Sequence, residues 1–306
     1  GVLSVQAAKN IQDAIASRYG FDAGAFGNFE AYANSVKYFN RLDWNIDGRT
    51  HLSVRNNTII SEAINLERDP QDFRFGSISY KQKNNQTSTV AELTTRWSNR
   101  LYNSLIAGYT TIHDYRTPSS DPAFPQVQIV GRTPGTTIFL GTDREASIFN
   151  MRQKTWEFTD NLNLNYGRHH LTLGTHNELY KIDYGFVNSW NGRVDYPSIE
   201  DFLNNQPNRV RGSFNYVNND RNYILSHPSA VFNINFFSLY LQDEIQVTDR
   251  FRFTLGMRAD YADVPTKQTL SDRTVSAVPD PNFGYSYSYT QPRYITNSYL
   301  GRVQAS

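Results

Sequence analysis

Cysteine is absent from all 306 residues. That excludes disulfides, thiolate metal sites and cysteine nucleophiles. No run approaches the roughly 18 consecutive apolar residues of a membrane helix, and the mean hydropathy is −0.59. Charge of one sign is also missing: 30 Lys and Arg stand against 29 Asp and Glu. A balanced chain has no basic footprint for nucleic acid, so no nucleic-acid partner is expected. Nucleophile elbow, zincin motif and phosphate loop are all lacking. Gly131-Arg132-Thr133-Pro134-Gly135 has no Gly-Lys-Ser/Thr ending and reads as a turn. The expectation is a protein that is not an enzyme and carries no cofactor. The opening Gly1-Val2-Leu3-Ser4-Val5 is not a secretory leader, and Val303-Gln304-Ala305-Ser306 ends without an aromatic residue. The chain reads as an internal piece of something larger, or as a processed product.

What the sequence does contain is long alternation. On Phe251 to Tyr261, the residues Phe251, Phe253, Leu255, Met257, Ala259 and Tyr261 share one parity, and Arg252, Thr254, Gly256, Arg258 and Asp260 the other. Successive strand side chains point to opposite faces, so this is one apolar wall and one polar wall. The strands outrun the usual 5–6 residues and reach the roughly 9–11 needed to cross a bilayer. Alternation also explains the low hydropathy, because lipid-facing and lumen-facing residues average out. The 20 Tyr and 19 Phe suit aromatic girdles at the headgroup level.

The unit repeats as hairpins. Lys37 to Ile46 turns at Asp47-Gly48 and returns as Thr50 to Ile60. Thr87 to Trp97 turns at Ser98-Asn99 and returns as Arg100 to His113. Met151 to Tyr166 turns at Gly167-Arg168 and returns as His169 to Asp183. Ala230 to Val247 turns at Asp249 and returns as Phe251 to Asp263, and Tyr294 to Val303 makes a last strand. This gives about nine strands, expected to form one continuous antiparallel sheet. Between the hairpins lie long polar segments at 62–86, 114–149, 188–229 and 264–293. Short turns on one side and long loops on the other is the outer-membrane barrel pattern, the short side being periplasmic. Gln6 to Arg18 reads as a helix with Ala7, Ile11, Ala14 and Ile15 on one face. It stops at Tyr19-Gly20 and belongs on the long-loop side. A second helix is expected at Pro197 to Leu203, N-capped by Ser198.

Parity assigns the faces. Tyr38, Leu42, Trp44, Leu162, Leu164, Leu239, Phe253, Leu255 and Met257 are expected outside, against lipid. Arg41, Asp43, Glu157, Asn161, His176, Glu178, Gln242, Glu244, Arg252 and Arg258 are expected inside. His170 and His176 share a parity but stand roughly 20 Å apart at strand rise. His176 and Glu178 alone are too few to hold an ion, so no metal site is expected. Asp243 and Asp160 fall on the lipid parity, which places them near an interface or on a bulge that re-aims them.

Four stretches carry a family resemblance: Arg41-Leu42-Asp43-Trp44-Asn45, Thr155 to Leu162 (TWEFTDNL), Leu173 to Leu179 (LGTHNEL), and Tyr240-Leu241-Gln242-Asp243-Glu244 followed by Val247-Thr248-Asp249 and Leu255-Gly256-Met257-Arg258. With Ser17-Arg18-Tyr19-Gly20-Phe21-Asp22 ahead of them, the set resembles TonB-dependent outer-membrane receptors, and among these the Oar-like branch of Bacteroidetes. The resemblance runs from about Ile11 to Asp263. It implies an all-β transmembrane barrel of about 22 strands, of which this chain supplies a part. Residues 1–36 would be an extracellular loop with a short helix, and 37–303 strands and loops, with the plug domain and TonB box lying outside the chain. The implied function is uptake of a bulky solute across the outer membrane of a Gram-negative bacterium. A surface-binding adhesin and a passive porin-like channel are the alternatives. The implied partners are the plug domain, the remaining barrel strands, the TonB complex, a surface lipoprotein, and outer-membrane lipid or lipopolysaccharide.

Overall fold

The computed structural model describes residues 2–121, 123–213, 218, 220–228, 230–266 and 299–300. In chain order its elements are α1 (Val5–Tyr19), β1 (Ala33–Asn45), β2 (Thr50–Asn65), β3 (Asp72–Arg74), β4 (Tyr80–Arg96), β5 (Leu101–Pro118), β6 (Gln126–Val130), β7 (Thr137–Leu140), β8 (Ile148–Tyr166), β9 (His169–Val187), β10 (Arg193–Tyr196), α2 (Ile199–Leu203), β11 (Arg209–Arg211), α3 (Arg221–Ser226), β12 (Ala230–Thr248), β13 (Phe251–Asp263) and β14 (Tyr299–Leu300). Among the described residues no helix is long and apolar enough to cross a membrane.

The long strands form one antiparallel sheet in the order β1-β2-β4-β5-β8-β9-β12-β13-β14. All four short turns lie where expected. At Asp47 the carboxylate accepts the backbone N–H groups of Arg49 and Thr50 at 2.7 and 2.8 Å, which closes the turn. The final pairs of the four hairpins are Asn45 with His51, Arg96 with Tyr102, Tyr166 with His169, and Gln246 with Arg252 before the bulge. Followed through the register, they climb by about one residue per strand. That is ~3.3 Å of rise for every ~4.8 Å of sheet width, a strand tilt of roughly 35°.

Among the described residues nothing packs on the apolar face of this sheet. Leu42 is 66% exposed, Leu239 60% and Met257 62%. Tyr38, Trp44, Leu164, Phe253 and Leu255 are exposed beside them, and Leu162 is half-buried. A water-soluble sheet would bury such a face; large exposed apolar patches mark a partner or a membrane.

The hydrophobic core lies elsewhere, at the long-connection end. Five short strands make a second, mixed sheet in the order β11-β10-β6-β7-β3. In it β6 runs parallel to β10, and β3 parallel to β7. Ile11 and Ile15 of α1, Phe75, Ile129, Ile138 and Leu140 are fully or almost fully buried there, with Phe202 of α2 against them. Ala8 rather than Ala7 completes the buried stripe of α1. Ser4 caps that helix, and Gly20 ends it in the left-handed conformation. The guanidinium of Arg18 donates to the carbonyls of Phe202 and Leu203, which fastens α1 to the end of α2. The chain around Gly24 crosses Gly76 so closely that a Cβ on Gly24 would lie 2.6 Å from the Ser77 nitrogen.

This second unit corrects three expectations. The segments 62–86, 114–149 and 188–229 are not plain polar loops: the long strands extend into them, and what remains folds into the small sheet and its helices. The sheet is not single, although the two sheets do not share a core. Residues 1–36 hold the expected helix, as α1, but that helix is packed in the core of the small unit, and β1 begins at Ala33 instead of Lys37. The signal in β3, β6 and β7 is only three to five residues long, too short for periodicity to register. The expected helix at 197–203, with Ser198 accepting from the Asp201 N–H, is present. So is the turn at 131–135, between β6 and β7. The expected segment 264–293 and strand 294–303 lie almost wholly outside the described residues.

Asp143, between β7 and β8, is buried, and burial pushes its carboxyl above the usual range; the N–H groups of Glu145 and Ala146 offset this only in part. An acid whose folded pKa is raised binds its proton more tightly folded than unfolded. Its cost to stability is therefore present above the folded pKa and fades as pH falls. Asp143→Asn keeps the acceptor oxygen and removes the charge. Protease resistance of the small unit is expected to rise at pH 8 and to change little at pH 4, measured on the intact protein.

Candidate functional site: the polar face of the long sheet

The register lets each face be read across strands. One row on the polar face runs Arg41, Arg55, Val90, Gly108, Glu157, Glu178, Phe236, Ala262. The next runs Asp43, Ser53, Glu92, Ile106, Thr159, His176, Ser238, Asp260. The third runs Asn45, His51, Thr94, Ser104, Asn161, Gly174, Tyr240, Arg258. Gln242 and Glu244 follow toward the short turns. All ten residues expected inside thus share one face, opposite the apolar one, with Arg252 standing across from Gln246.

The structure brings four of them, His176, Glu178, Asn161 and Arg258, into two networks. In the first, the Thr159 hydroxyl meets His176 Nδ1 at 2.7 Å, and His176 Nε2 meets the Glu178 carboxylate at 3.1 Å. Tyr180 donates its hydroxyl to the other Glu178 oxygen at 2.9 Å. Glu157 stands directly across from Glu178. In the second, Arg258 pairs with Asp260 at 2.7 Å, donates to the Ser238 hydroxyl at 3.0 Å, and lies over the Tyr240 ring. Tyr240 in turn donates to Asn161 Oδ1 at 2.6 Å. That bond spans β9, and Gly174 makes it possible: a Cβ there would sit 2.3 Å from the Tyr240 ring and 2.5 Å from Asn161 Oδ1.

Between the networks is a pocket of about 360 Å³ lined by His176, Glu178, Phe236, Ser238, Arg258 and Asp260. Its polar groups are paired with one another, His176 with Glu178 and Arg258 with Asp260, while Phe236, Phe237, Tyr261 and Ala262 make the rest of the lining, so the pocket offers an apolar surface rimmed by polar groups. Elsewhere on the face Arg41 pairs with Asp43 at 2.8 Å, and Arg252 with Glu244 at 3.0 Å. His170 bonds to Asn165, apart from His176. Among the described residues no group of three or more His, Asp or Glu could hold a metal. Sequence reasoning missed Thr159, Tyr180, Ser238, Tyr240 and Asp260. Each has the right parity, which was the available signal.

The two aspartates of the apolar face are corrected. Register runs unbroken through Asp160 and Asp243, so neither sits on a bulge; the shift in β12 comes later, between Gln246 and Thr248. Asp160 lies six residues from Tyr166, well up the sheet, and is satisfied by the Asn103 amide at 2.6 Å. Asp243, nearer the turns, meets His169 at 2.7 Å.

A sequence model of the outer membrane beta-barrel domain matches residues 5–299. The chain belongs to this outer membrane beta-barrel family. Its place is the outer membrane of a Gram-negative bacterium. No curated protein matches the sequence. The ferripyoverdine receptor of the outer membrane of Pseudomonas aeruginosa, solved bound to ferripyoverdine, superposes with a TM-score of 0.47 at 14% identity. The superposition covers 78% of this chain and 32% of the receptor, so the chain spans about a third of that protein's length. In this barrel family the apolar face meets lipid and the polar face the interior.

The cysteine-free background makes the facing directly measurable. Gln242→Cys and Arg258→Cys are expected to react with a water-soluble maleimide in outer-membrane preparations. Leu241→Cys and Met257→Cys are expected to stay unlabelled until detergent is added. Labelling in the reverse pattern would mean the register is inverted.

Gly174→Ala is expected to destabilise the detergent-solubilised barrel by about 1–3 kcal/mol through overpacking. Adding Tyr240→Ala removes the clashing ring. The double variant should therefore lose less than the sum of the two single variants, as read from thermal unfolding.

Proposed function

We propose that this chain is part of the wall of a TonB-dependent outer-membrane transporter of the Oar-like branch found in Bacteroidetes, and that it serves the uptake of a bulky solute. The carrying observation is the polar face itself, a hydrogen-bonded display with a pocket. Uptake through such a face is binding and passage, not chemistry. The four motif stretches that resemble TonB-dependent receptors sit on β1, β8, β9 and the β12–β13 hairpin, the strands that build the display.

In this reading the short turns face the periplasm, and the small sheet with α1 and α2 is extracellular. All thirteen residues of β1 are exposed, and its outer edge has no partner among the described residues. An open edge in hydrocarbon leaves N–H and C=O groups unsatisfied, which supports completion of the wall by further strands, toward about 22. A plug domain would fill the lumen and engage the TonB complex, and a surface lipoprotein would pair with the outer unit. A second reading, a surface-binding adhesin, draws on the packed core of that unit.

Energy dependence separates the readings. Cells carrying the intact protein are offered labelled peptides, glycans and siderophores. Uptake of one class that stops on adding a protonophore is the expected result. Uptake that continues would favour a passive porin, and surface binding without uptake would favour the adhesin.

A further inference from the structure

The outer face changes character abruptly along β8. From the short turn upward its outward residues are Tyr166, Leu164, Leu162, Asp160, Phe158 and Trp156, then Lys154 and Arg152. Tyr166 and Trp156 are ten residues apart. At strand rise and the tilt read from the hairpin stagger, that is about 27 Å along the membrane normal, which matches the roughly 25 Å apolar band of outer-membrane barrels. Trp156 marks the upper boundary, with Tyr109 against it at 4.5 Å and Phe158 stacked at 6.0 Å.

Just above that boundary the charges are arranged against their own repulsion. Lys154 lies directly opposite Lys181 of β9, and Arg152 is the next outward residue on β8. Like charges directly across a strand pair destabilise it. All three side chains are exposed, and none makes a hydrogen bond or ion pair with a protein group among the described residues. Asp183 faces Arg152 across the strands, but its Oδ1 is left without a partner. Lys81 and Lys83, on the same outward face of β4, contrast with this: both are paired to Glu62, at 3.6 and 3.2 Å. This cluster, three cations beside the carboxylate of Asp183, keeps an excess of positive charge and occupies the level at which lipid phosphates begin, about 5–10 Å above the aromatic boundary at strand rise and this tilt.

We propose that Arg152, Lys154 and Lys181 form a binding site for the phosphate groups of the phosphorylated glycolipid of the outer leaflet. The inference rests on the membrane reading and on the long-connection end being outermost. Two cations about 5 Å apart across the strands, with a third roughly 7 Å along β8, suit a headgroup carrying clustered negative charge better than a single phospholipid phosphate. Aromatic rings directly below would lie against the first acyl carbons. The site fixes the barrel's height in the leaflet and gathers ordered glycolipid beneath the outer unit.

The test compares the intact protein with the triple variant Arg152→Gln, Lys154→Gln, Lys181→Gln and with the charge-keeping pair Lys154→Arg, Lys181→Arg. Each is extracted in mild detergent, and retained glycolipid phosphate is counted per protein. Each cation near a charged membrane surface contributes appreciably, so the triple variant is expected to retain at least about tenfold less, and the arginine pair as much as the parent. In nanodiscs of zwitterionic lipid, purified lipid A should rebind to the parent and resist exchange by phosphatidylglycerol. Equal retention by parent and triple variant would overturn the site. Equal displacement by phosphatidylglycerol would overturn the assignment to glycolipid. Heat-modifiable migration is read in parallel. A folded, membrane-embedded parent that holds no glycolipid refutes this inference alone, whereas a parent that washes off the membrane refutes the barrel reading as well.

Discussion

Every feature of the long sheet depends on one constraint: in hydrocarbon, backbone N–H and C=O groups have only each other. The ladder from β1 to β13 meets that constraint with pairs that run almost without interruption for thirteen to nineteen residues per strand pair. An uninterrupted ladder locks side-chain parity across the whole sheet. One face then carries the apolar band and the other most of the polar side chains, and neither choice can be made locally. Asp160 and Asp243 show how firmly this holds. The ladder keeps them on the apolar face, and a neighbouring amide and imidazole adapt to them instead.

The same constraint explains the division of labour between the two ends of the chain's elements. A wall that exposes its apolar face to lipid has no interior of its own to pack. The buried side chains Ile11, Ile15, Phe75, Ile129, Ile138 and Phe202 are therefore gathered outside the wall, where water surrounds them and the hydrophobic effect operates. Glycines serve both regions, by letting backbones cross at Gly24 and Gly76 and by letting the Tyr240 ring lie across β9 at Gly174.

How much was legible follows from what a short turn fixes. Within a hairpin, Asp47-Gly48 or Gly167-Arg168 sets the register, so parity alone groups Arg41, Glu157, His176 and Arg258 on one face, as the ladder does. Between hairpins the partners are joined by long segments, and their alignment is set by packing. The bond from Tyr240 to Asn161 spans that kind of boundary, from β12 over β9 to β8, and no local pattern announces it. The small sheet was hidden for two reasons. Its strands are three to five residues long, and its parallel pairings join β6 to β10 across more than sixty residues. The outer-membrane family and the strand scaffold were readable; the cross-strand chemistry was not.

The small unit also imposes an order of events on assembly. Its core draws α1 from before the first hairpin, Phe75 from the connection after it, β6 and β7 from the next, and β10 and α2 from the one after β9. Arg18 waits for carbonyls more than 180 residues downstream. Contacts of such sequence separation form late, because the loop-closure entropy must be met first. The helix that precedes all these strands in the chain is thus among the last pieces to be seated. Its docking joins segments of three successive inter-hairpin connections in one core.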